Sequence, residues 1–586
     1  MGIAYTIDTP LKVAQYGISS VISLVDDILI ERMREFYSIK FDLPFQSITD
    51  KMDDFWAKRI TAYLDLLDKL IKEKVEEVKK SISKKGGELE KYLNMLPDSS
   101  NFRQKLNHIL ENNSLKDAMN WVHKNLPVGS IDVNIMTKLD KENFKDSEQL
   151  PVEYNDAHAA LRGFAESKLN SSIVLSAGMN PRLYSYFEKF KDFYPNELGE
   201  LRKKIILKVS DYRSALIQGK FLAKKGLWIS EYRVESGLNC GGHAFASHGY
   251  LMGPILQEFK NNRKELVDSL HSMYIKGLTD KNIAPPEKPY DIKITAQGGV
   301  GTSDEHNFLL DFYNLDSIGW GTPFMLVPEI CNIDDYTLNL IANAKEDDLY
   351  LSNISPLGVP FNTVRGNTKD IERQRNIDAG KPGSACIKKY ANLNKEFTER
   401  AICVASRQYQ KRKITELNSI GLNEDEYKKA FDVIVEKSCI CNGLGTSVLI
   451  KNKMNTRLEG NTVAVCPGPN IAYFSEIVPL QRMVDHIYGR TNLIKRTDRP
   501  NMFLKELDIY IAYFANKLNE SEQAMTGKQL EYFEEFQKNL NDGIEYYKNL
   551  FSESQFNLGE NKEVLLKGLN QLQIRLNAIQ VTQAVC

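Results

Sequence analysis

The chain has 586 residues, 42% hydrophobic and 26% charged, with a formal net charge of −1 and eight cysteines. It is longer than one hydrophobic core sustains, so two to four domains are expected, and the thinly spread cysteines exclude a disulfide scaffold. A neutral balance without a Lys/Arg block argues against nucleic acid. The lack of an apolar spanning run or a basic-then-apolar leader argues against a membrane partner and for a cytoplasmic location.

Residues 3–8 read as a first strand closed by Thr9-Pro10, and 18–25 as a second, giving a segment 1–27. The first six residues also fit an N-myristoylation pattern, but the strand reading is preferred. From 28 to 125 the rhythm changes. Ile60, Tyr63, Leu64, Leu66, Leu67, Leu70 and Ile71 recur at helical spacing, charged residues fill the other face to Lys85, and Gly86-Gly87 stops the run. Short helices are expected at 89–96 and 102–110. Strands return at 131–137, 172–176, 204–209, 227–234, 292–296 and 317–318, with helices such as 157–167 and 216–225 between them. Eight strands alternating with helices predict an α/β fold, a TIM (β/α)8 barrel with a helical insertion after strand two. The barrel resumes over 126–370, where a helix at 335–344 and segments 349–353 and 358–367 close it. Beyond 371 the chain reads as a mostly helical C-terminal region: 393–418, 424–436, 504–518, 527–550 and 562–579.

Three glycine-rich turns follow the last three apolar runs: Gly237-Leu238-Asn239-Cys240-Gly241-Gly242-His243, Gln297-Gly298-Gly299-Val300, and Gly319-Trp320-Gly321-Thr322-Pro323-Phe324. Glycine turns after the last two strands are where barrels bind phosphate, because backbone N–H groups there approach an anion unobstructed. The plainer account is two tight turns with no ligand. Lys208 ends an apolar strand, and an interior ammonium needs an anion or a wet site. His243 is a candidate general base and His248 a weaker rival.

Read together, these motifs resemble the nitronate monooxygenase family of flavin enzymes. Asp132-Val133-Asn134-Ile135, Ser176-Ala177-Gly178-Met179-Asn180-Pro181, the 205–210 strand end at Lys208 and the three glycine turns follow the family's chain order. The resemblance covers about half the chain. It implies FMN as cofactor, with Thr9, Pro10, Asn134, Lys208 and Gly241 around it, Gln297, Gly298, Gly299, Gly321 and Thr322 at its phosphate, and His243 as catalytic base. FAD fits less well, since no G-x-G-x-x-G opens a second nucleotide unit. Asn239 stands where the family usually has Glu. The implied activity is oxidation of a small acidic C–H or nitronate-type substrate, with oxygen or NAD(P)H as electron partner. An enoyl-thioester reductase is the alternative enzyme, and a flavin-binding scaffold or sensor the alternative of another class. No metal ligand set is assigned. Cys386, Cys403, Cys439, Cys441 and Cys466 read as buried thiols in preference to an iron–sulfur cluster, and Cys240 as a small turn residue.

Overall fold

The computed structural model describes residues 3–176, 178–241, 248–521, 525–553 and 561–581, so Ala177, Gly242 and His243 lie outside the described residues. Seven strands form the central sheet: β1 (Ser20–Ser23), β2 (Ile131–Ile135), β3 (Ser171–Leu175), β4 (Lys203–Val209), β5 (Ile229–Glu235), β6 (Lys293–Gln297) and β7 (Ser317–Gly319). Each pairs in parallel with the next in chain order, and the sheet curls into a half-barrel. All strand C-termini therefore share one rim.

Val133, Leu175, Leu207, Tyr232, Val234 and Ala296 are buried on one face, where the Tyr232 hydroxyl donates to Ala215 O of the Tyr212–Ala223 helix at 3.2 Å. The opposite, inner face carries Asn134, Lys208, Arg233, Glu235, Thr295 and Gln297 on matching register rows. The same face also holds buried Val174 and Ile206 in the row of Asn134, so it is mixed, with its charges on β4 to β6. Its buried charges are paired: Glu231 accepts from Arg233 (2.7 Å) and from the Thr295 hydroxyl (2.7 Å).

Residues 3–8 are not a strand. They form successive turns (Ile7 N–H to Ala4 O, Thr9 N–H to Thr6 O) that lead into a short helix, Thr9–Val13, with Pro10 in its first turn. The Ala4 N–H goes to Leu444 O, inside a helix, Ile440–Lys451, that the glycines around Cys441 disguise as loop. Those glycines permit close core packing: a Cβ on Gly443 would lie 2.8 Å from Ala464 Cβ.

The helical insertion packs onto the sheet layer. The Phe55–Lys80 helix buries Trp56, Ile60, Tyr63, Leu64, Leu67, Leu70 and Ile71, one apolar stripe at the expected spacing. It crosses the Asp156–Glu166 helix at Gly163, where a Cβ would meet Ala57 O at 2.7 Å. Segments 349–353 and 358–367 become the antiparallel hairpin β8 (Leu349–Ser352) and β9 (Phe361–Val364). The helix expected over 393–418 starts only at Arg407, because the Ser406 hydroxyl caps Tyr409 N–H at 3.1 Å and the chain before it is tied by an Asn394–Ile402 bridge. Among the described residues no single helix is long and apolar enough to cross a membrane.

Candidate functional site

Strand ends β4, β5 and β6 bring Lys208, Glu235 and Gln297 together on the rim. Glu235 is 3% exposed. Its Oε1 faces Lys208 Nζ at 3.3 Å, accepts from Asn239 Nδ2 at 2.9 Å and accepts from Gln297 Nε2. Its Oε2 is buried with no hydrogen-bond partner among the described residues. A desolvated carboxylate oxygen is costly to leave bare, so the hub presents a buried acceptor. Lys208 thus has a protein anion. Glu235 is absent from the sequence-derived site, although period-2 alternation through Glu231, Arg233 and Glu235 was available to signal it.

The second turn holds Gly298 at φ 111° and Gly299 at φ 83°. Their Cβ positions are filled by the turn after β5: Asn239 N is 3.0 Å from one and Leu238 Cδ1 2.5 Å from the other. Glycine here serves loop-on-loop packing. The turn's carbonyls are drawn toward the C-terminal region. Gly299 O accepts from Arg499 (2.9 Å) and Asn470 (3.1 Å), Val300 O from Asn470 (2.9 Å), and Gly301 O from His486 Nε2 (2.8 Å). Arg499 is locked in turn by Glu305 at 2.8 Å. No described residue accepts from the N–H groups of Gly299, Val300, Gly321 or Thr322. A Cβ on half-buried Gly321 would meet only Cys240 Cβ, at 3.2 Å.

The other expected residues are scattered around this centre. The Thr322 hydroxyl accepts from Gly468 N–H (3.2 Å), and Gly241, at φ 128°, donates to Cys466 O (3.5 Å). Asn134 is half-buried on the inner face of β2. The Thr9 hydroxyl is committed to Ile330 O at 2.9 Å and Pro10 is buried in the short helix; among the described residues no hydrogen bond or ion pair joins either to the hub. Cys240 fills its turn against Met325 Sδ (3.7 Å) and Cys466 O (3.6 Å). His248 is exposed, its ring near Tyr250 and Tyr532.

His243 lies outside the described residues, but both ends of its loop are held by C-terminal helices, Met502–Ser521 and Gly527–Ser552. Gly237 N–H donates to the Tyr510 hydroxyl (3.1 Å), Met252 N–H to Glu506 (2.9 Å) and Gly253 N–H to the Tyr547 hydroxyl (3.0 Å). A Cβ would strike Tyr510 from Gly237 at 2.6 Å and Tyr547 from Gly253 at 2.4 Å. The C-terminal region, which has no place in the barrel pattern, is the support of this loop.

Burial pushes the Glu506 carboxyl up to about 7, against hydrogen bonds from Ser236 and Met252. The folded state therefore keeps a proton that the unfolded chain releases near its ordinary value of 4.5. The contribution of Glu506 to stability is fully present below that value and is lost as pH rises through about 7. Glu506→Gln is expected to remove this part of the slope, so that the wild type loses stability against the variant between these limits. Urea midpoints across the same pH range check it; parallel wild-type and variant curves contradict it.

Comparison with protein-family models and with curated proteins returns no match.

Proposed function

We propose that the chain is an FMN-dependent oxidoreductase of nitronate-monooxygenase type, built on a barrel whose eighth position is taken by the turns of residues 3–8. That segment bonds to β1 on one side, Thr6 Oγ1 to Val21 O at 3.1 Å, and to the chain after β7 on the other, Asn332 N–H to Tyr5 O at 3.0 Å. The observation that carries the reading is the meeting of Lys208, Glu235 and Gln297 on one rim, beside two turns whose N–H groups find no described acceptor.

These residues suit FMN. The N–H groups of Gly299, Val300, Gly321 and Thr322 are donors for a phosphate dianion, and Gly321 leaves room for it. The Lys208 ammonium, anchored by Glu235, offers positive charge to an electron-rich ring. Asn134 and Gln297 supply neutral polar contacts on the same face. Bound FMN supplies a two-electron acceptor. His243 takes the proton from a carbon acidified by a nitro or carbonyl group. The substrate is a small C–H acid or its anion.

The protein is expected to purify yellow with FMN near one per chain, and Gly321→Leu to release the flavin while keeping its far-ultraviolet circular dichroism. Absorbance of the supernatant after heat release measures it. A colourless wild type that takes up no FMN contradicts the proposal.

A further inference from the structure

Thiols from three distant segments gather where β1 and β2 end. Cys403 forms a small apolar satellite with Leu139, Ala391 and Ala405, and Cys386 and Cys441 pack against it. Two main-chain bonds fasten the segments, Ser384 N–H to Ala405 O (3.0 Å) and Arg407 N–H to Ser384 O (2.9 Å). Cys386 sits at φ 43°, in the left-handed region that non-glycine residues seldom adopt and that recurs at functional positions. Its chain folds back so that the Cys386 thiol donates to Asn392 Oδ1 at 3.3 Å. Cys386 is half-buried, whereas Cys403 is 3% exposed. Among the described residues no set of three His, Cys, Asp or Glu is arranged to hold a metal ion.

We propose that Cys386 and Cys403 form a peroxide-reactive dithiol, with Cys386 as the attacking thiolate and Cys403 as the resolving thiol. The two are electrostatically unequal. A hydrogen bond from Cys403, then the Lys389 N–H and ammonium, hold the Cys386 thiol below its ordinary value. The same hydrogen bond, then burial, push Cys403 far above it. A low-pKa, accessible sulfur beside a protonated, shielded one is the pairing that attack and resolution require. In the first step Cys386 sulfur bonds one oxygen of a hydroperoxide, the O–O bond breaks, and the departing alkoxide or hydroxide is protonated. Cys386 is then a sulfenic acid. Cys403 sulfur attacks it, the S–O bond breaks, water leaves with the thiol proton, and the S–S bond forms. Two electrons pass from the thiols to the peroxide, and no flavin is needed.

The test uses the full chain, reduced, desalted and treated with equimolar hydrogen peroxide, followed by non-reducing peptide mass spectrometry. A Cys386–Cys403 cross-linked peptide is the expected main product, and dithiothreitol should reverse it. Iodoacetamide at pH 7 should alkylate Cys386 about tenfold faster than Cys331 or Cys466. Cys403→Ser should leave a Cys386 sulfenic acid that dimedone traps. The proposal is overturned if both sulfurs stay reduced while other cysteines oxidise, or if Cys386 links to Cys439 or Cys441 instead. Stoichiometric zinc or iron that copurifies and shields both thiols overturns it equally.

Discussion

Substituting His243→Asn is expected to slow reduction of bound flavin by a neutral nitroalkane by about 10²–10⁴-fold, the usual cost of losing a general base. Asparagine keeps much of the size and one hydrogen bond but no basicity. A nitronate supplied already deprotonated needs no base, so its rate should change far less. FMN content should hold, because the proposed phosphate donors belong to the turns after β6 and β7. The loop's anchors should hold too, since Tyr510, Glu506 and Tyr547 grip Gly237, Met252 and Gly253 through main-chain atoms at its two ends. Anaerobic stopped-flow with both substrate forms measures the difference. Equal losses for the two forms, or loss of FMN, would show that His243 is structural.

Lys388→Met is expected to cost about 3–5 kcal/mol of stability, the range seen when one partner of a buried ion pair is removed. Lys388 Nζ contacts Asp26 Oδ2, and the two side chains are 1% and 0% exposed. Asp26 also accepts from Tyr390 (2.9 Å) and Leu29 N–H (2.9 Å), but these are neutral donors. Without Lys388 its negative charge is left in the interior with no counter-ion. Glu459, 3.8 Å from Lys388, keeps Arg32 at 3.0 Å and suffers less. The pair lies under the Ile440–Lys451 helix, where a Cβ on Gly445 would sit 3.0 Å from Asp26 and 3.1 Å from Lys388, so water has little room to enter. Asp26→Asn combined with Lys388→Met should recover most of the loss, because the bare charge is gone. Urea midpoints of the single and double variants check both statements. A single variant within about 0.5 kcal/mol of wild type, the range of ordinary surface substitutions, would refute the account.

The seven parallel strands and most helices were legible because their apolar residues recur within the element itself. The 55–80 stripe and the alternation in β6 are local facts that need no knowledge of neighbours. Residues 3–8 failed for the opposite reason. Ile3, Ala4, Tyr5 and Ile7 look like a strand, yet their buried positions are created by the 440–451 helix and by the chain around 332 and 464, hundreds of residues away. The start of the Arg407 helix turned on which of several polar residues became its cap.

At the candidate site, the sequence placed the glycine turns, Lys208 and Gln297 at strand ends, because strand ends followed by glycine mark the rim of a parallel α/β sheet. Register decided the rest. Pairing Glu235 with Gln297 across β5 and β6, and bringing Lys208 to it from β4, converts three separate residues into one charged hub. At Gly237, Gly298 and Gly299, which the sequence singles out, and at Gly253, which it does not, the absent side chain makes room for Tyr510, Tyr547 and the 238–239 turn. Periodicity reports which face of an element is apolar. What that face touches, and which charges meet across strands, depends on contacts between residues far apart in the chain, and only the tertiary structure decides them.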